Sequence, residues 1–277
     1  MDITTPLGTF YAYTGGKKPD PQQPTVVFIH GVLNDHSVWI LQSRYLDHHG
    51  WNVLALDLPG HARSGGTAPA SVAEASAAVV AVLDALGLAQ VALVGHSWGS
   101  LIALHTTAHA PDRVSQLVLV GTAYPMKVSP ALLDSSLNRP QEAIDLVNGY
   151  SHSTWAPPPS TLGPGTWLHG GSRALMRRVL ASNTQVNLFH RGFVACDSYA
   201  NGEADMAAVT CPTLFVLGQA DQMTPPKAAQ ALVRQARQHH TVVLPAGHQL
   251  MSEDPDGVLM ALLRFLKPAN HAPAATA

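Results

Sequence analysis

Short runs of apolar, often β-branched residues alternate along this chain with segments in which apolar residues recur at helical spacing. The runs lack the polar alternation of a half-exposed strand, so they are typical of strands buried on both faces of a parallel sheet. An antiparallel entry strand is predicted at residues 10–13, and buried strands at residues 25–29, 51–56, 91–94, 114–120, 213–217 and 241–244. With helices predicted between them, for example at 71–86 and 256–265, the pattern indicates an α/β fold: a mostly parallel twisted sheet with helices on both faces.

The stretch from residue 123 to residue 210 breaks this rhythm. It contains three consecutive prolines, a Gly-Pro-Gly, a Gly-Gly and several helical patches, but no convincing buried strand. Because a structureless loop of this length is implausible in a compact domain, we expect a mainly helical lid inserted at 123–210. It would lie over the carboxyl ends of the strands, where ligands bind in open α/β sheets. Residues 1–122 and 211–267 would form the core, and the Ala/Pro-rich residues 268–277 a disordered tail.

The segment Gly95-His96-Ser97-Trp98-Gly99 carries the most specific chemical signal. It follows the apolar run 91–94 and opens a helical pattern, so its G-x-S-x-G spacing predicts a nucleophile elbow. In such a turn the serine is held in a strained conformation with its hydroxyl exposed. The residues two before and two after it approach each other, which requires both to be small.

A serine hydroxyl is a poor nucleophile until a base removes its proton and a third group orients that base. Two later strands are followed by suitable residues in the order acid, then histidine. Asp221 follows the run 213–217, and His248 follows the run 241–244. The strand at 114–120 is followed by no carboxylate, and Asp57 lies beside a Pro-Gly turn that it is expected to fix. We therefore predict a catalytic triad of Ser97, Asp221 and His248.

Acyl transfer also needs two donors directed at the developing oxyanion. We expect one to be the backbone N–H of Trp98, directly after the nucleophile, and the other the backbone N–H of Val32. Gly31 precedes Val32 and would let that loop turn towards the serine. His30 is expected to brace the loop and not to touch substrate.

Composition excludes several classes of partner. Sixteen Lys and Arg against eighteen Asp and Glu leave a formal net charge of −2, and there is no basic stripe that would favour nucleic-acid binding.

The two cysteines, Cys196 and Cys211, do not have the spacing of a metal-binding or redox motif and are expected to be free thiols. No basic-apolar leader and no apolar stretch of membrane-spanning length is present, so we expect a soluble cytoplasmic protein. No metal-binding motif is found among the fifteen histidines, and no metal or organic cofactor is expected.

Five segments of the chain resemble motifs of the α/β-hydrolase superfamily. They are HGVLNDHSVW (residues 30–39), DLPGHARS (57–64), GHSWG (95–99), GQADQMTP (218–225) and AGHQLMSEDP (246–255). They cover both ends of the chain but not the expected lid. The resemblance is to the lidded esterase, haloperoxidase and C–C hydrolase branch, and it implies the α/β-hydrolase fold and a cofactor-free triad. It does not fix the reaction, because one fold hosts many functions.

Comparison with subfamilies of the α/β-hydrolase superfamily reduces the number of reactions to consider. Haloalkane dehalogenases and epoxide hydrolases carry aspartate where this chain has Ser97, and the HGGG-type oxyanion loop is missing. We expect a serine hydrolase that cleaves carboxylic esters of small to medium, largely apolar substrates. The alternatives left open are a C–C bond hydrolase, a thioesterase, a proline iminopeptidase using Glu203 and Asp205, and a non-catalytic ligand receptor.

An apolar substrate pocket is expected around the triad. Aromatic and apolar residues of the lid, of its entry and of the loops beside the triad would favour an uncharged acyl or aryl group. The expected pocket residues are Leu33, Tyr124, Met126, Trp155, Trp167, Met223 and Leu250.

Overall fold

The computed structural model describes residues 1–153 and 167–266 and contains one eight-stranded sheet. The strands are β1 (Asp2–Thr5), β2 (Gly8–Tyr13), β3 (Thr25–Ile29), β4 (Asn52–Leu56), β5 (Val91–His96), β6 (Val114–Val120), β7 (Thr213–Gly218) and β8 (His239–Leu244). Their spatial order is β1-β2-β4-β3-β5-β6-β7-β8. The β1–β2 and β2–β4 pairs are antiparallel and the remaining five pairs are parallel. The predicted fold class is confirmed.

Helices cover both faces of this sheet. They are α1 (Ile40–Asp47), α2 (Val72–Ala85), α3 (Trp98–His109), α4 (Pro130–Asn138), α5 (Pro140–Ser151), α6 (Leu168–Ala181), α7 (Leu188–Ser198), α8 (Gly202–Ala208), α9 (Gln230–Gln235), α10 (Leu250–Glu253) and α11 (Pro255–Phe265). No helix among the described residues is long and apolar enough to cross a lipid bilayer.

Alternating side chains of the central strands supply two separate cores. In β3, Val27 and Ile29 pack with α2 and α3 on one face, whereas Val26 and Phe28 pack with α11 on the other. All five residues of β3 are buried, which explains why its sequence reads as a continuous apolar run. The structure adds β1, which pairs with β2 at the edge of the sheet and whose polar residues gave no such run.

Local signals in the sequence set the ends of several helices. The Ser71 hydroxyl accepts a hydrogen bond from the Glu74 N–H at 3.1 Å, and the Glu74 carboxylate accepts one from the Ala70 N–H at 2.8 Å. This reciprocal cap fixes the start of α2. Gly87, with φ at +63°, follows its end.

The segment between β6 and β7 contains α4 to α8 and no strand among its described residues. Its helices form a third apolar cluster, which includes Ile144, Val179 and Phe189 and packs against Leu33 of the core. The Asp35 carboxylate, at the loop after β3, accepts a hydrogen bond from the Arg178 guanidinium of α6 at 2.8 Å. Trp155 and the tail at 268–277, both named in the sequence analysis, lie outside the described residues.

Candidate active site

Ser97 occupies a strained turn between β5 and α3. Its φ of 54° and ψ of −120° define a backbone conformation that residues other than glycine rarely adopt. A Cβ on Gly95 would lie 2.1 Å from the Gly99 carbonyl oxygen, and a Cβ on Gly99 would lie 2.4 Å from the Ile29 carbonyl oxygen. Glycine is therefore required at both positions by close backbone approach. Ser97 itself is partly exposed, unlike the buried residues on either side of it.

Asp221 and His248 meet at the carboxyl ends of β7 and β8. The His248 Nδ1 lies 2.9 Å from the Asp221 Oδ2, and both side chains are buried. Because Nδ1 donates to the carboxylate, Nε2 is the imidazole nitrogen left to act as a base. The His248 backbone N–H donates to the Ser151 carbonyl at the end of α5, at 2.8 Å.

Thr224 is a member of this cluster that the sequence analysis missed. Its hydroxyl oxygen lies 2.7 Å from the Asp221 Oδ2, 2.9 Å from the Gly121 carbonyl and 3.0 Å from the His248 Nδ1. The Asp221 Oδ1 accepts hydrogen bonds from the backbone N–H groups of Met223 and Thr224, each at 2.8 Å. The spacing Asp-x-x-Thr is the signal that could have found it, since an Asx-type turn brings such a hydroxyl back to the carboxylate.

These contacts set the charge of Asp221. Burial acts to raise the pKa of Asp221, but the charge of His248 and hydrogen bonds from His248 and Thr224 outweigh it and hold that pKa far below its ordinary value. The carboxylate therefore stays ionised at any working pH.

His96 makes a hydrogen bond to the backbone of the loop that carries His248, here called the histidine loop. Its Nε2 lies 2.8 Å from the His248 carbonyl oxygen, so Nε2 carries the proton and donates it. Burial, reinforced by the charge of the neighbouring His248, lowers the pKa of His96 to about 3. His96 is thus a neutral structural donor, and no residue that the structure describes makes a hydrogen bond with its Nδ1.

The loop after β3 passes close to Ser97. A Cβ on Gly31 would lie 3.1 Å from the Ser97 Cβ, which shows how closely the loop passes. No described atom accepts a hydrogen bond from the backbone N–H of Val32 or of Trp98. His30 lies beneath the loop, where its Nδ1 donates to the Gly31 carbonyl at 2.8 Å and its Nε2 accepts from the Leu58 N–H at 3.1 Å.

A small cavity of about 40 Å³ opens over Ser97. It is lined by Gly31, Val32, Asn34, His96, Ser97, Val147, Ser151, Met176, Phe189, Phe193, Met223, His248 and Gln249. Val147, Met176, Phe189 and Phe193 come from α5, α6 and α7, so the segment between β6 and β7, here called the insert, supplies most of the apolar side chains of this lining. Of the expected pocket residues, Met223 lines this cavity.

The other expected pocket residues that the structure describes lie elsewhere. Leu33 is fully buried against the insert, and Leu250 is fully buried under the opposite face of the sheet. Met126 is buried in the α2–α3 core, and the Tyr124 hydroxyl donates to the Ala200 carbonyl at the start of α8. Trp167 is 54% exposed.

Trp167 instead borders a second cavity of about 210 Å³. This cavity is lined mostly by apolar side chains of the loop after β3, of α1 and of α6, among them Val38, Leu41 and Leu175. Asn34 and Gln249 line both cavities, so these two polar side chains lie at the boundary between them.

Asp57, the other carboxylate after a strand, has a structural role. Its Oδ1 accepts from the His36 backbone N–H at 2.9 Å and lies 2.7 Å from the His36 Nδ1. Its Oδ2 accepts from the Arg63 N–H at 3.1 Å. The carboxylate thus holds the turn that follows β4, as the sequence analysis expected.

The chain is similar to known proteins both in sequence and in structure. A family model described as the alpha/beta hydrolase fold matches residues 24–145. The chain is 27% identical to a non-heme haloperoxidase of Rhodococcus erythropolis over 288 aligned positions, covering 96% of this chain and 98% of that protein. It is 35% identical to the lipase LipV of Mycobacterium tuberculosis over 122 residues, 44% of this chain and 42% of the lipase. The crystal structure of an enol-lactonase from Burkholderia xenovorans superposes with a TM-score of 0.80 at 19% identity, covering 96% of this chain and 99% of the lactonase.

Proposed function

We propose that this chain, which matches the alpha/beta hydrolase fold model over residues 24–145, is a serine esterase acting on small to medium, largely apolar carboxylic esters. One observation carries the proposal. Ser97, in its strained turn, lines the same cavity as His248, whose Nδ1 is held by Asp221 at 2.9 Å. A nucleophile, a base and an orienting acid around one cavity are the parts that acyl transfer requires.

In the proposed mechanism the Nε2 of His248 removes the proton of the Ser97 hydroxyl as its oxygen attacks the ester carbonyl. The tetrahedral oxyanion accepts hydrogen bonds from the backbone N–H groups of Val32 and Trp98. His248 then donates its proton to the departing alcohol, which leaves an acyl group on Ser97. Water, activated by the same imidazole, releases the acid and restores the serine.

The charge of Asp221 stabilises the imidazolium that forms in each half of this cycle. Because the pKa of Asp221 is held far below its ordinary value, the carboxylate remains an anion while His248 carries the proton. Thr224 and two backbone N–H groups fix the carboxylate, so it can orient the imidazole without moving. This fixed arrangement reduces the reorganisation needed in the transition state.

The size and lining of the cavities support an uncharged substrate. Apolar side chains such as Val147, Met176 and Phe193 line the cavity over Ser97 together with uncharged polar ones, and no Lys, Arg, Asp or Glu among the described residues lines either this cavity or its neighbour. A charged acyl group would lose its hydration there without gaining a partner. The cavity of about 40 Å³ favours a short acyl chain, while the adjoining cavity beyond Asn34 and Gln249 offers space for the rest of the ester.

The two carboxylates named for the aminopeptidase alternative lie away from the cavity over Ser97. Glu203 is exposed on α8, and the Asp205 carboxylate is engaged by His105 of α3 and by Tyr199. Neither residue lines the cavity over Ser97. Thioester and C–C bond cleavage would use the same triad and are separated from ester cleavage by a substrate panel.

The decisive experiment combines covalent labelling with kinetics. A fluorophosphonate should add one label per chain, and the label should map to Ser97. Ser97→Ala should abolish labelling and lower kcat for p-nitrophenyl acetate by about 10⁴-fold or more. Ser198→Ala, which removes an exposed serine of α7, is the matched control and should behave as wild type.

Two results would overturn the proposal. An unlabelled wild-type protein would indicate a non-catalytic ligand receptor. Labelling at Ser97 with turnover of thioesters, amides or vinylogous diketones far above that of oxygen esters would keep the triad but reject the substrate class.

A further inference from the structure

A cluster of His105, His109 and Asp205 lies away from the cavity over Ser97, where α8 packs on α3. The His105 Nδ1 is 2.8 Å from the Asp205 Oδ2, and the His109 Nδ1 is 3.9 Å from the Asp205 Oδ1. One ligand atom from each residue lies within 4.8 Å of the other two. The sequence analysis expected no metal because its motif criteria compare residues close in sequence, and Asp205 is far from both histidines along the chain.

The spacing of the two histidines follows from the helix. Residues four apart on an α-helix lie on one face, one turn above the other. His105 and His109 therefore project together, and their ring centroids are 3.9 Å apart. The first turn of α8 presents Asp205 opposite them.

Among the described residues Asp205 pairs with histidine and not with Lys or Arg, as Asp57 and Asp221 also do. Asp35 is paired with Arg178, and Asp57 accepts two backbone N–H groups as well as His36. Asp205 is 7% exposed at its side chain, and within the described part of the chain it has no Lys or Arg ion-pair partner. When both histidines are neutral, the cluster carries one negative charge that no fixed cation compensates.

We propose that His105, His109 and Asp205 bind a divalent zinc-type cation that fastens α8 to α3. Two imidazoles and one carboxylate are a ligand set typical of Zn²⁺, and water can complete a tetrahedral site. The side chain of His109 is 55% exposed, so the ion and its water can enter from solvent. Zinc bonds of about 2.0–2.1 Å require ligand atoms nearer together than 4.8 Å, so the histidine rings would rotate on binding and the His109 Nδ1 would leave the His105 carbonyl oxygen, from which it lies 2.9 Å away.

Groups around the cluster support this role. The Tyr199 hydroxyl donates a hydrogen bond to the Asp205 Oδ2. Hydrogen-bonded partners of this kind orient metal-ligating carboxylates, and their loss typically lowers metal affinity by about 10–100-fold.

The proposed ion is structural and takes no part in ester cleavage. His105 follows Ser97 by eight residues, which is about 12 Å along the axis of α3 at 1.5 Å per residue. Its effect would fall on the end of the insert, because α8 is the last helix before β7. Metal binding should therefore raise stability while leaving the rate of ester cleavage unchanged.

The test uses the full chain without an affinity tag, treated with a chelator and then dialysed. Isothermal titration with ZnCl₂ should give one site per chain, and Co²⁺ should produce the visible absorption bands of a tetrahedral site. Zn²⁺ at 100 times its Kd should raise Tm by about 5 °C or more, since only the folded chain holds the three ligands together. Turnover of p-nitrophenyl acetate is measured with and without metal and should be equal.

Variants separate this site from nonspecific histidine binding. His109→Ala changes a half-exposed side chain and should fold normally, yet it should lower Zn²⁺ affinity by about 100-fold or more and remove the Tm shift. Asp205→Asn should do the same, and Tyr199→Phe should weaken binding by about 10-fold. The double variant His239→Ala/His240→Ala removes an exposed adjacent pair on β8 and should bind Zn²⁺ as wild type.

Absence of saturable Zn²⁺ binding to the wild-type chain would overturn the proposal. So would binding that survives both His109→Ala and Asp205→Asn, or binding that disappears in His239→Ala/His240→Ala. The cluster would then be a hydrogen-bonded contact between α3 and α8 and nothing more.

Discussion

Acidification is expected to destabilise this protein through His61 and His96, two histidines that are buried without charge. Burial, with a smaller contribution from His30, lowers the pKa of His61 from 6.5 to about 3, and burial with the nearby His248 lowers that of His96 equally far. Below pH 6.5 His61 and His96 are therefore protonated in the unfolded chain but stay neutral in the folded chain. The free energy of unfolding falls as the pH decreases from about 6.5 towards 3, and it is fully retained above pH 6.5.

The size of the effect follows from the two pKa values. At pH 5, a histidine with a pKa of 6.5 when unfolded and about 3 when folded costs about 2 kcal/mol of stability. Two such residues together cost about 4 kcal/mol, a large part of the 5–15 kcal/mol that stabilises a typical domain. Asp221 contributes nothing in this window, because its lowered pKa acts only below the ordinary aspartate value of 3.8.

Urea unfolding at pH 7.5 and pH 5.0 measures this difference. His61→Gln retains a donor for the Pro59 carbonyl, which the His61 Nδ1 contacts at 3.0 Å, but it cannot take up a proton. The variant should lose about 2 kcal/mol less than wild type between the two pH values. Comparing each protein with itself cancels any destabilisation that the substitution causes at both pH values. His239→Gln, at an exposed histidine, should match wild type.

The reasoning would be refuted by a wild-type protein that loses less than about 1 kcal/mol between pH 7.5 and pH 5.0. An equal loss in wild type and His61→Gln would show that His61 gains its proton while folded, so that burial does not hold it neutral.

Two further predictions concern the cavity and the triad. Thr224→Val keeps the shape of the side chain but removes a hydrogen bond to the Asp221 carboxylate, so kcat should fall about 10-fold or more with KM unchanged. Thr224→Ser keeps the hydroxyl and should stay near wild type. Equal kcat in all three proteins would contradict a positioning role for Thr224. Met176→Ala enlarges the cavity over Ser97 and should favour longer acyl chains. The value of kcat/KM for p-nitrophenyl hexanoate, divided by that for p-nitrophenyl acetate, should rise about 10-fold. An unchanged ratio would show that acyl chains bind elsewhere.

The sheet could be predicted because its central strands are buried on both faces. Such strands leave continuous apolar runs, and turn residues mark the points where they end, as at Gly121 after β6. The same logic brought Asp221 and His248 together, since parallel strands end at one edge of the sheet. The edge strand β1 left no comparable signal, because one of its faces is polar.

The lining of the cavity could not be predicted for a different reason. A strand pattern fixes which residues reach the edge of the sheet, but not which face of an inserted helix turns towards it. Phe189 and Phe193 lie one turn apart on α7 and pack on each other, and both reach the cavity. Tyr124 lies four residues after the end of β6, yet its hydroxyl donates to the Ala200 carbonyl just before α8. Side-chain direction in the insert is decided by packing between helices, which is not local in sequence.

The insert is fastened to the histidine loop at one end, and this limits how the cavity can open. The Ser151 carbonyl accepts hydrogen bonds from the backbone N–H groups of both His248 and Gln249. The buried Glu253 carboxylate accepts from the Ser153 N–H at 2.9 Å and the Gly247 N–H at 3.2 Å. Moving the end of α5 would break these buried bonds and displace His248 with them. α6 and α7 have polar ties of their own to the core, from the Arg178 guanidinium to Asp35 and from the Arg191 guanidinium to the Ala68 carbonyl, each at 2.8 Å. These ties do not involve the histidine loop, so a displacement of α6 or α7 would break them without breaking the bonds that hold His248.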